Sequence, residues 1–170
     1  MPEPTASSML ATPSLATPST LGADPALMRI IRQVESGNRS DAIRFEPTVF
    51  SGWAAESSEQ SFVQRIADIN HCDFDTAKVL FSTSFGLYQL MGFNIYSLGF
   101  VRPVVEFWSD HTLQDIYFHK FLIKNNINIS WSTLKSNPEL LAHFASVYNG
   151  PGGRVTYAAA MTRAAAGLGL

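Results

Sequence analysis

The sequence predicts a mainly α-helical domain with at most one small β element, preceded by a Pro/Thr-rich N-terminal tail. Three observations predict it. Apolar residues recur at helical spacing through almost every ordered segment, whereas one stretch, residues 42–50, is rich in β-branched and aromatic residues. The first twenty residues are dominated by Pro, Thr, Ser and Ala, repeat ATPSL and ATPST in tandem, and present no periodic apolar face, as expected of a tether. The expected division is therefore a tail over 1–22 and a single domain over 23–170, long enough to bury its own core.

The elements follow in order. Asp24 and Pro25 are a helix start, and Leu27, Met28, Ile31 and Val34 keep helical spacing until Gly37 offers a stop, which predicts a helix over 25–36. Residues 42–50 (AIRFEPTVF), interrupted by Pro47, read as an extended or hairpin segment. Helices are expected near 59–70, with Phe62, Ile66 and Ile69 inward, and near 74–82, with Ala77, Leu80 and Phe81 inward. A short helix is expected over 86–91, followed by an irregular stretch past Gly92 and Gly99. The helix from Asp110 to Asn125 should bury Leu113, Tyr117, Phe121 and Ile116. Asn137-Pro138 caps another, which runs through Leu140, Leu141, Phe144 and Val147 to the glycines at 150, 152 and 153, and an Ala-rich helix over about 155–166 closes the chain.

Composition excludes several classes. A single cysteine, Cys72, rules out an internal disulfide framework and is expected to fill core space. No basic segment precedes an apolar core of signal-peptide length, and no stretch has the roughly 18 apolar residues of a membrane span. Net charge is −2, which argues against a general nucleic-acid binder, although residues 1–110 carry −5 and residues 111–170 carry +3. His71, His111, His119 and His143 have no metal-ligand spacing, and no cofactor or metal is expected.

Chemistry concentrates in three places. Glu35 lies four residues after Ile31 and seven after Met28, beside the apolar stripe and in the last helical turn. Partial burial and the negative helix end both disfavour its ionised form, which suits a general acid; the plainer alternative is a surface Glu pairing with Arg32 or Arg39. In the second place, Ser84-Phe85-Gly86-Leu87-Tyr88-Gln89-Leu90-Met91, Gln89 offers an amide that both donates and accepts, beside a turn formed by Ser84 and Gly86; a Gln on a helix is also an ordinary surface residue. In the third, Tyr148-Asn149-Gly150, with the glycines that follow, combines sugar-compatible polar groups with close backbone approach, although taken alone it reads first as a Gly-rich helix terminator.

In this order the three segments resemble the signature of the lysozyme superfamily. Val34-Glu35-Ser36-Gly37, then GLYQLM over 86–91, then VYNGPGG over 147–153, is similar to the ES, GLxQ and AYNxG succession of soluble lytic transglycosylases and goose-type lysozymes. The phage N-acetylmuramidase endolysins resemble it more closely still, in IRFEPTVF (43–50), in the block from Ser84 to Phe93, in LQDIYFHKFLIKN (113–125) and in the close from Phe144 to Gly152. The chain departs from that family in the GNRSDA after ES and in Gly152-Gly153.

The resemblance implies a lysozyme-like enzyme cutting the β-1,4 bond between N-acetylmuramic acid and N-acetylglucosamine of bacterial peptidoglycan. Glu35 would be the acid, with Ser84, Gln89, Tyr148, Asn149 and Gly150 contacting sugar. A two-carboxylate hydrolase needs a partner about 5–5.5 Å away for retention or 6.5–9.5 Å for inversion, whereas a lytic transglycosylase uses the sugar's own 6-hydroxyl. Glu46 is the first candidate and Asp41 the second, and both also suit salt bridges with Arg39 and Arg44. Hydrolysis is the first expectation. The expected setting is a phage enzyme, acting from the host cytoplasm on the wall or carried in the virion. A different class of reading is a structural virion component whose lysozyme-like domain serves assembly, docking to tail or baseplate proteins through residues 1–22.

Overall fold

The computed structural model describes residues 23–52 and 57–170, so the expectation for residues 1–22 lies outside the described region. Helix α1 (Pro25–Ser36) starts at Asp24, whose side chain accepts from the Ala26 amide and, through its other oxygen, from the Trp131 amide, tying the start of α1 to a distant part of the chain. Gly37, at φ +62°, ends the helix, because the left-handed turn returns the amides of Gly37 and Asn38 to the carbonyls of Gln33 and Arg32. Leu27, Ile30 and Ile31 are buried, while Met28 and Val34 flank them half-buried.

Strand β1 (Ile43–Phe45) pairs antiparallel with β2 (Thr83–Phe85), which pairs antiparallel with β3 (Leu90–Met91). The central strand is buried and β1 is exposed. Pro47 does not interrupt a strand: it opens α2 (Pro47–Ser51), where its missing amide proton costs nothing. Helices α3 (Ser57–Asn70) and α4 (Phe74–Phe81) follow, the latter capped by Asp73. Ile66 and Ala77 are buried as expected, whereas Phe62, Ile69, Leu80 and Phe81 are half-buried. Cys72 is half-buried at the edge of the core.

The helix expected over 86–91 is instead the β2–β3 hairpin. Gly86 and Gln89 have φ of +76° and +47°, which no helix accommodates. The stretch expected to be irregular holds two short helices, α5 (Gly92–Ser97) and α6 (Val104–Ser109). Helix α7 (His111–Lys124) is rotated relative to the expected stripe: Gln114, Tyr117, Phe118 and Leu122 point inward, and Ile116 is 46% exposed. A further short helix, α8 (Trp131–Ser136), precedes α9 (Pro138–Asn149), capped by Asn137 as expected, and α10 (Arg154–Gly167). Val147, expected inward on α9, is 38% exposed. Helix α10 packs on both α9 and α1, so the last helix closes over the first described one.

Candidate active site

Glu35 sits in the last turn of α1. The Tyr157 hydroxyl, on the first turns of α10, donates to Glu35 Oε1 at 2.6 Å. Burial raises the Glu35 pKa above the ordinary carboxylate value, and the charge of Glu46 acts in the same direction. The Tyr157 hydrogen bond and the charge of Arg44 oppose the shift without cancelling it. Neither alternative partner takes the Glu35 carboxylate: Arg32 pairs with Asp115, and Arg39 pairs with Asp41 at 3.2 Å.

Glu46 precedes α2 as its cap residue and is bound through its amide to the Ser82 carbonyl at 2.9 Å, which fixes the backbone beside β2. Its carboxylate accepts from Arg44 Nε at 2.5 Å. Asp41 is about two-thirds exposed, and its charge is not among those acting on Glu35. Of the two candidate second carboxylates, Glu46 is therefore the one whose charge acts on Glu35.

Ser84, buried in β2, donates to Gln89 Oε1 at 2.8 Å, with the Arg44 carbonyl as a second acceptor at 3.2 Å. Gln89 Nε2 donates to the carbonyls of Gly86 at 3.0 Å and Ala42 at 3.3 Å. Both amide protons of Gln89 are thus committed to backbone, and the side chain holds the turn against β1. A second amide braces the turn from below. Gln114 is buried on α7, accepts from the Leu87 amide at 2.8 Å and donates to the Trp108 and Ser40 carbonyls at 2.9 and 3.1 Å. A Cβ on Gly86 would lie 2.4 Å from the Gln114 carboxamide, so glycine is required there twice, by φ and by space. Ser36, the residue after Glu35, donates to the Leu87 carbonyl at 3.0 Å, which locks the end of α1 to the same turn.

Tyr88, on that turn, is wedged between helices. Arg32 Nε donates to its hydroxyl at 2.7 Å, the hydroxyl donates to Asp115 at 2.7 Å, and its ring stacks on Phe118 at 3.8 Å. Its carbonyl receives the Tyr148 hydroxyl at 2.9 Å. Tyr148 is packed among Phe118, Phe121, Phe144 and Tyr157, and burial raises its pKa. Asn149 ends α9, is exposed, and lies over Gly153, where a Cβ would meet its Nδ2 at 2.6 Å. Gly150 follows at φ +79° with open space around it.

The charge of Glu46 thus acts on Glu35 and that of Glu35 on Tyr148, while Ser84 and Gln89 hold the hairpin turn and Asn149 and Gly150 follow Tyr148 at the end of α9. Sequence reasoning missed Tyr157 and Gln114. Tyr157 lies in an Ala-rich helix that carries no motif, and Gln114 is polar at a position that helical periodicity alone assigns to no special role. A signal for Gln114 existed in the neighbouring sequence, since a turn built on Gly86 leaves buried backbone groups that need a partner. Among the described residues no group of three or more His, Cys, Asp or Glu is placed to hold a metal ion, and no helix is long and apolar enough to cross a membrane.

Comparison with known proteins bears on this arrangement. Residues 69–168 match the model of the N-acetylmuramidase family. Over 127 residues, 73% of this chain and 85% of the relative, the sequence is 35% identical to a protein named endolysin from Enterobacteria phage PRD1. No solved structure matches the chain.

Proposed function

The chain belongs to the N-acetylmuramidase family, and on that premise we propose that Glu35 is the acid that protonates the glycosidic oxygen between N-acetylmuramic acid and N-acetylglucosamine. The protein is a peptidoglycan glycosidase. Glu35 lies outside the residues that the family model matches, so its role rests on its own geometry. The observation that carries it is a half-buried carboxyl whose pKa burial raises, held by one neutral donor, with the charge of a second carboxylate, Glu46, acting on it. A general acid is favoured by a carboxyl pKa above the ordinary range, and desolvation at the end of α1 acts in that direction.

Glu46 is the second carboxylate in this reading. Once Glu35 has given up its proton and the sugar bears positive charge, an ionised Glu46 stabilises that charge or activates the water that completes hydrolysis. Ser84 and Gln89 serve by holding the turn, Tyr148 by fixing it to α9, and Asn149 and Gly150 offer polar and backbone contacts at the rim. The likeness to the PRD1 protein supports a phage enzyme that degrades the wall for lysis. The assembly-only alternative, and docking to tail proteins, draw on residues 1–22, and nothing in the comparisons favours them.

Mass spectrometry of digested peptidoglycan tests the reaction. Reducing N-acetylmuramic acid ends are expected. Products ending in 1,6-anhydro sugars would overturn hydrolysis in favour of transglycosylation. Glu35→Gln should lower turnover by at least about 10²-fold, and undiminished cleavage by that variant would remove Glu35 from the mechanism.

A further inference from the structure

We infer that Tyr157 is a positioning residue for glycan cleavage: its hydroxyl fixes Oε1 of Glu35 as a hydrogen-bond acceptor, so that Oε2 carries the transferable proton and faces the substrate. The inference rests on Glu35 being the acid.

Tyr157 is 5% exposed, and its hydroxyl makes a single hydrogen bond among the described residues, the 2.6 Å contact to Oε1. It is held there from two sides. Met161 and Ala165, one and two turns further along α10, are buried in the core, and the Tyr157 ring lies 5.5 Å from that of Tyr148, itself pinned through its hydroxyl to the Tyr88 carbonyl. Burial, with the electrostatic influence of Tyr148 and Glu35, raises the Tyr157 pKa far above that of a free phenol, so the group stays neutral and remains a donor.

Oε2 of Glu35 has no hydrogen-bond partner among the described residues and is not one of the fully buried orphaned polar atoms. It is therefore the oxygen that solvent or substrate reaches. A protonated carboxyl has one accepting oxygen and one that bears the proton, and a fixed donor on the first assigns the proton to the second. When that proton passes to the glycosidic oxygen, the remaining carboxylate already holds a hydrogen bond that becomes charge-assisted and strengthens. Tyr157 thus orients the acid before transfer and stabilises it afterwards.

The test is the pH dependence of kcat/KM on purified glycan strands for four proteins: wild type, Tyr157→Phe, a protein with 3-fluorotyrosine in place of Tyr157, and Glu35→Gln. The alkaline limb reports loss of the acid's proton. With Tyr157→Phe it should move up by about one pH unit, and kcat should fall roughly tenfold with KM unchanged. The fluorinated phenol is a stronger donor of nearly the same size, and should move the limb down. Limbs that coincide with wild type in both variants would overturn the inference. If Tyr157→Phe does not fold, the fluorinated protein decides alone, by a limb that moves down or stays. Wild-type activity in Glu35→Gln would sink the acid assignment itself, whereas an inactive Glu35→Gln with unmoved limbs removes only Tyr157.

Discussion

At the scale of single residues, the site sets the stability of Glu35 against its use. The folded-state pKa of Glu35 is raised above its unfolded value, chiefly by burial. The unfolded chain therefore binds fewer protons than the folded one as pH rises through this range, and the folded state loses stability there. Glu35→Gln removes a group that is costly to ionise while keeping an oxygen for Tyr157. It should raise Tm near neutral pH by a few degrees, about what a ~1 kcal/mol change gives in a domain of this size. The gain should vanish at acid pH, where Glu35 is protonated in both states, and calorimetry at the two pH values checks it. Glu46 answers a different question. Its ion pair with Arg44 is partly solvent-exposed and of little structural worth, so Glu46→Gln should leave Tm within about 1 °C while lowering kcat by on the order of 10²-fold if Glu46 acts in the chemistry. A full-rate Glu46→Gln enzyme would leave Glu35 acting without it.

At the scale of elements, the hairpin turn over 86–89 is the piece on which α1, α7, α9 and β1 converge through Ser36, Gln114, Tyr148 and Gln89. Gly86→Ala combines a left-handed φ of +76° with a Cβ 2.4 Å from the Gln114 carboxamide. It should destabilise the protein by about 2–4 kcal/mol. Gln114→Leu strands the Leu87 amide and the Ser40 and Trp108 carbonyls in the interior and should cost a comparable amount, about 2–4 kcal/mol. Chemical denaturation measures both, and an unchanged midpoint for either would contradict this account of the turn. The same element shows what was legible in the sequence and what was not. Helix α1 is legible because Asp24-Pro25 and Gly37 are local signals at its two ends, and Asn137-Pro138 marks α9 in the same way. The hairpin was misread because Leu87, Leu90 and Met91 happen to have helical spacing, whereas the conformations of Gly86 and Gln89 that forbid a helix are imposed by tertiary partners. Helices α5, α6 and α8 are each six residues long, too short to show a period. Glu35 stands out in the sequence by its place beside an apolar stripe together with the ordered Gln89 and Tyr148-Asn149 segments, but its hydrogen-bond partner Tyr157 is 122 residues away and only the closure of α10 on α1 brings the two together.

At the scale of the whole molecule, the site is assembled from the two ends of the domain. Helix α1 carries Glu35 and α10 carries Tyr157. The start of α1 is tied to α8 through Asp24, and the end of α10 is tied back to the core through Leu168 and Leu170. We propose that residues 23–170 carry the catalytic site and that residues 1–22 act as a tether. The composition of that segment, with its tandem ATPSL and ATPST, supports the assignment, because it offers no periodic apolar face to bury. A protein lacking residues 1–22 should melt within about 1–2 °C of the full chain and cleave purified glycan strands at the same rate, since Asp24 and every residue of the candidate site are retained. Thermal unfolding and turnover, measured side by side on the two proteins, decide it. A Tm lower by 5 °C or more would mean that the segment packs on the domain, and a loss of rate at unchanged Tm would mean that it reaches the substrate.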